Sequence, residues 1–161
     1  MTRVIPFAVA LPLAFASGLY VHSARAEAPS AKATPVYVLS IWTEDADDQA
    51  DALTQALRSR VQQVAGWSLL QASQSFETFA IALKCPPKPD PACLQRIGDQ
   101  LKADHYVWGT MDKKRGPPSE VNVDLHLWAR GKPDANAHES YADSLKDPND
   151  ETLRATAAGP P

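Results

Sequence analysis

Val121–Arg130 reads VNVDLHLWAR, and its residues alternate without a break. Val121, Val123, Leu125, Leu127 and Ala129 fall on one side of an extended chain, with Asn122, Asp124, His126, Trp128 and Arg130 on the other. A period of two marks a strand with one buried and one wet face, which is antiparallel behaviour. The strand therefore needs an antiparallel neighbour. His105–Met111 (HYVWGTM) precedes it, across a connection KKRGPPS that holds Gly116 and two prolines and is longer than a tight turn.

Working back from this hairpin, Val36–Trp42 (VYVLSIW) is apolar, β-branched and aromatic, and too short for a helix. It predicts a central, buried strand. Thr43 or Asp45 is placed to cap a following helix, with Glu44, Asp45, Asp47 and Asp48 where the helix dipole favours negative charge. Leu53, Leu57, Val61 and Val64 recur at spacings of four and three, one stripe facing a sheet, and Gly66 is the expected stop. Trp67–Ala72 predicts a shorter strand, and Ser73 or Ser75 a cap for a short helix whose Phe76, Phe79, Ala80 and Leu83 share a face. Pro91 suits the first turn of another helix, lined on its buried side by Leu94, Ile97 and Leu101. After Gly131 the pattern weakens. Ala137–Leu145 is expected as an edge strand with Tyr141 inward, and Asn149–Ala158 as a last helix.

The resulting order is strand, helix, strand, helix, helix, strand, strand, a further edge strand, helix. This predicts an α/β chain of the α+β kind, a mixed sheet of four to five strands with helices mainly on one face. No internal repeat is present.

The first 26 residues are of another kind. Arg3 gives a positive start, Val4–Val21 is uncharged and mostly apolar, and the segment ends Ala-Arg-Ala at Ala24–Ala26. Residues 1–26 are expected to be an export signal cleaved before Glu27. The competing reading is a retained membrane anchor, which Pro6, Pro12 and Gly18 weaken as a permanent helix. Residues 27–35 (EAPSAKATP) then form a flexible leader, 36–158 the folded domain and 159–161 a tail. Without a cysteine near the cut, a bacterial lipid anchor and stable membrane insertion after cleavage are not expected.

The whole chain has 161 residues and a net charge of -3. Cleavage removes Arg3 and Arg25 and leaves 14 basic against 19 acidic side chains, a net of -5. Such a charge disfavours nucleic-acid phosphate as a partner. A hydrophobic content of 44% is too high for a disordered chain, and two cysteines cannot make a disulfide-dense scaffold or a four-thiolate zinc site. Cys85 and Cys93 flank CPPKPDPAC, and in an oxidising compartment they are expected to close it as a disulfide.

The phrases IGDQLKADHYVWGTM and VNVDLHLWARGKP resemble the TolB amino-terminal domain family and its bacterial envelope relatives, the LpoB-like and CsgG-like domains. Leu101, Ala103, Asp104, Val107 and Gly109 fit the family's helix-to-strand phrase, and Val121, Val123, Leu125, Leu127 and Gly131 fit its next strand. The opening VYVLSIW fits as well. The cysteine-bracketed proline loop departs from the pattern, and no β-propeller follows. The resemblance implies noncatalytic periplasmic modules that bind other proteins in envelope assemblies. It transfers no catalytic residue and implies no cofactor.

Asp124 and His126, two residues apart, invite an acid-base proposal. Same-face neighbours on one strand lie about 7 Å apart, too far for direct contact. Ser119 and Ser140 lie near but within no nucleophile-elbow motif. His105, His126 and His138 are not at metal-ligand spacing. Lys113, Lys114 and Arg115 read as a solubilising hairpin tip. The aromatic residues give the sharper expectation. Trp128 falls on the wet face, and Tyr106 and Trp108 on the neighbouring strand can share it. With Asp124, His126 and Arg130 around them they form a candidate protein-binding patch, against the bland alternative that the rings only cover the sheet. The expected function is thus an exported accessory or interaction module of the envelope. The competitors are a small periplasmic hydrolase or sugar-binding protein using Trp108, Asp124, His126 and Trp128, and the front part of a longer chain.

Overall fold

The computed structural model describes residues 32–158. The expected signal (1–26), most of the leader and the tail lie outside the described residues. The elements are β1 Thr34–Ser40, β2 Trp42–Thr43, α1 Asp47–Gln63, β3 Trp67–Ser75, α2 Phe76–Ala82, α3 Pro91–Leu101, β4 His105–Lys114, β5 Glu120–Ala129, β6 Ala135–Ala142 and α4 Glu151–Ala158.

They build one mixed sheet in the order β3-β1-β4-β5-β6, with β2 continuing alongside β4. β1 lies between β3 and β4 and is parallel to both, as a doubly buried apolar run should be. β4 and β5 pair antiparallel from His105 opposite Ala129 to Lys114 opposite Glu120, the hairpin that the alternation demanded. The strand expected over Val36–Trp42 is broken at Ile41, and the break has a local cause. The Ile41 amide donates to Thr54 Oγ1 at 3.1 Å and is lost to the ladder, while Thr54 Oγ1 donates to Ala50 O within α1. β1 also starts earlier than expected, with Thr34 and Pro35 already paired to Trp67 and Ser68.

Local signals account for the helix starts. Thr43 Oγ1 accepts from the amides of Asp45 and Ala46 ahead of α1, whose first turn holds Asp47 and Asp48. Ser75 caps α2 and Asp90 caps α3, with Pro91 opening α3.

The helices lie on both faces of the sheet, and this corrects the expectation of one face. On one face Val36, Val38, Met111, Val121 and Val123 pack against Leu53, Leu57 and Val61 of α1 and Leu153 of α4. On the other, Leu39, Ala72, Tyr106, Trp108 and Trp128 pack against Phe76 of α2 and Cys93, Leu94 and Ile97 of α3. The short α2 and α3 have apolar sides too large to leave in water, so they claim a sheet face of their own. Tyr141 of β6 is buried as expected, over Met111.

Gly109 of β4 leaves no room for a side chain: a Cβ there would meet Asp124 O at 2.6 Å. That contact is the physical content of the glycine in the helix-to-strand phrase.

Candidate functional site

The six residues expected to form an exposed patch share one sheet face, as their alternation required, but they do not form an exposed patch. Tyr106, Trp108 and Trp128 are 0%, 6% and 4% exposed. Trp108 is stacked between Phe76 of α2 and His126 of β5, with ring centroids 3.8 and 3.9 Å away. Tyr106 stacks on Trp128 and donates its hydroxyl to Leu94 O at 3.0 Å. Burial, helped by the nearby Asp134 carboxylate, holds the Tyr106 phenol well above its ordinary pKa. The wet face is therefore covered by α2 and α3 around Tyr106, Trp108 and Trp128.

Arg130 is a fastening. Its guanidinium lies 5.5 Å from the Trp128 ring centroid, binds Asp104 at 2.6 Å and Asp99 at 2.8 Å, and donates to Ala103 O. It ties the end of β5 to the turn between α3 and β4, and those two carboxylates raise its pKa further. The Cys85–Cys93 disulfide is formed, with Cα atoms 5.6 Å apart, and pins the loop after α2 to the first turn of α3. The disulfide therefore anchors the layer that covers the tryptophans.

Beyond that layer the face is open and polar. His126 Nδ1 pairs with Asp134 at 2.6 Å, whereas Asp124 pairs with His138 of β6 at 2.8 Å. Asp124 and His126 thus each take a partner from elsewhere. Ser140 donates to Asn122 and Ser119 to Asp143, so neither hydroxyl is directed at an imidazole. Among the described residues no three His, Cys, Asp or Glu side chains are grouped to hold a metal ion.

Two features escaped the sequence reading. The first is the outer edge of β3, which takes no further strand among the described residues; Leu70 of β3 is 37% exposed, and Ile81 of α2, the helix that follows β3, is 69% exposed. Ile81 stands outside the apolar set of α2, and that was the available signal. The second lies on the α1 and α4 face. An apolar groove of about 310 Å³ runs between the ends of these helices and the sheet, lined by Leu57, Val61, Trp67, Val107, Leu127 and Ala137 among others. It meets a cleft of about 430 Å³ between α1 and α4 that holds Arg60, Arg154 and Glu151, with Arg60 and Ala158 lining both. No spacing rule joins residues so distant in sequence.

The class defined by this fold is an α+β domain with a six-stranded mixed sheet, stapled by one disulfide. No protein-family model and no curated protein matches the chain. Among solved structures it is similar to the PelC dodecamer from Paraburkholderia phytofirmans, at 14% identity over 80% of this chain and 83% of that one, with a TM-score of 0.43. The lipoprotein GNA1162 from Neisseria meningitidis is similar at 12% identity, covering 78% and 92%, with a TM-score of 0.41. The hypothetical protein CT253 from Chlamydia trachomatis is similar at 13% identity, covering 68% and 70%, also at 0.41. Likeness of this order leaves the task of a chain to its own surface chemistry. No helix among the described residues is long and apolar enough to cross a membrane.

Proposed function

We propose that the chain is an exported, noncatalytic interaction or accessory module of the bacterial cell envelope, kin to the TolB amino-terminal domain, and that it engages an envelope protein through the open edge of β3. In this reading residues 1–26 direct export and are removed, and the disulfide is made in the compartment that export reaches. The observation that carries the reading is the outer edge of β3, unpaired among the described residues, with Leu70 on that strand and Ile81 on the helix that follows it both exposed. A free edge offers a row of backbone donors and acceptors, and an extended segment of a partner can add to it as a further strand. The exposed apolar side chain of Leu70 on that strand adds contact area to such pairing. The competing hydrolase or sugar-binding reading used the face of Trp108, Asp124, His126 and Trp128, on which both indoles are buried.

The test is photo-crosslinking in intact cells from positions 70 and 81, with the exposed Lys132 as control position. Capture of one envelope protein from 70 and 81 but not from 132 is expected. Capture of nothing beyond general chaperones sinks the reading.

A further inference from the structure

We propose that the groove beneath the ends of α1 and α4 binds the alkyl chain of a single-chain anionic amphiphile, a fatty-acid carboxylate being the simplest, with Arg60 and Arg154 holding its head group. The site lies on the face opposite α2, so it stands or falls independently of the β3 edge.

The groove is a half-open apolar trough at the small end of the range for small-molecule sites. Its floor is formed by Val107, Leu125 and Leu127, whose strands are hydrogen-bonded to their neighbours throughout this stretch. A peptide laid there would bring backbone amides that find few partners, at a cost for every one buried unmet. A hydrocarbon chain brings none.

The rim selects the sign of the head group. Arg60 and Arg154 project from α1 and α4 into the adjoining cleft, where Ala56, Ala155 and Ala158 leave room around them. Neither guanidinium makes an ion pair among the described residues, in contrast to Arg130 with its two carboxylates. Glu151 also lines the cleft, so two cations face one anion. Arg60 lies in the last turn of α1, where a cation also complements the helix dipole, but α4 has no basic residue in its last turn and Arg154 has no such role. In an acidic chain, two arginines that are unpaired among the described residues, in a cleft adjoining an apolar trough, are complementary to a carboxylate or phosphate on an alkyl chain.

Isothermal titration of dodecanoate, below its micelle concentration, into the exported protein tests this. Saturable binding at one site per chain is expected. Arg60→Gln with Arg154→Gln should weaken it about tenfold, as for lost charge-assisted hydrogen bonds, and dodecyltrimethylammonium should bind comparably less well than dodecanoate. Ala137→Phe, on the edge strand β6, should fill the groove and abolish binding while circular dichroism and Tm stay as in the wild type. No saturable binding by the folded wild type, equal binding of the cationic amphiphile, or undiminished binding by Ala137→Phe would each overturn the proposal. So would binding that emerges only after residues 27–31 are deleted, which makes the leader the occupant. A dimer that Ala137→Phe dissociates would assign the groove to a second copy, and also overturns it.

Discussion

Gly98 of α3 lies directly against the indole of Trp128, so close that a Cβ on Gly98 would fall 2.5 Å from the ring's Cη2. The ring cannot easily withdraw, since Tyr106 stacks on it and Arg130 lies over it. The approach of α3 to the sheet is set by this contact.

Gly98→Ala should therefore destabilise the domain despite a helix-propensity gain of about 1 kcal/mol, because overpacking costs about 1–3 kcal/mol. In a Trp128→Leu background the same substitution should become neutral or stabilising. Urea denaturation of the four proteins of this cycle measures the reversal; additive effects would show that the two residues are not in contact.

Replacing Trp108 by alanine should cost about 3–5 kcal/mol, the usual loss for a large buried aromatic, since the ring is held between Phe76 and His126. Ile81→Ser, at a 69% exposed position, should stay within about 0.5 kcal/mol. Denaturation midpoints decide this. A small loss at Trp108 would restore the exposed patch read from the sequence.

Reduction of Cys85–Cys93, which closes a loop with a sequence separation of 8, should lower stability by about 2.5 kcal/mol through the freed entropy of the unfolded chain. The cover formed by α2 and α3 should loosen first. Hydrogen exchange with and without reductant reads this as faster exchange in residues 76–101 than in α1. Uniform acceleration would contradict a local role.

Alkaline pH should destabilise the fold. Burial holds the phenols of Tyr106 and Tyr141 above their ordinary value of 10.0. Above about pH 10 the unfolded chain releases these protons while the folded one retains them. Stability is then full below that pH and falls as pH rises, by up to about 1.4 kcal/mol per pH unit for each tyrosine. Tyr141→Phe should flatten the slope between about pH 10 and 11 relative to the wild type, as followed by thermal midpoints. An unchanged slope would show that Tyr141 ionises freely.

The hairpin of β4 and β5 was legible because period-two alternation needs no knowledge of the rest of the chain. So were the buried stripe of α1, the cap at Ser75, the start of α3 at Pro91, and the inward Tyr141, each a matter of local spacing or local hydrogen bonding. The exposure of Trp128 was not. Alternation says that two sides of β5 differ, and the polar Asn122, Asp124 and His126 suggested water, but the ring at position 128 is covered by helices from a distant, earlier part of the chain. The split of β1 from β2 was hidden for the same reason, since the amide of Ile41 is claimed by Thr54 across the α1 packing surface.

The sequence by itself determined the α+β class, the β4–β5 hairpin and most helix starts, and the pairing of two cysteines placed eight residues apart. These follow from periodicity, capping chemistry and loop closure, which act over a few neighbouring residues. Tertiary structure alone decided that α2 and α3 cover the second sheet face, that Arg130 is occupied in a clamp, and that Arg60 and Arg154 share a cleft adjoining an apolar groove. Those outcomes depend on which surfaces bury each other, and burial is a property of the packed chain as a whole.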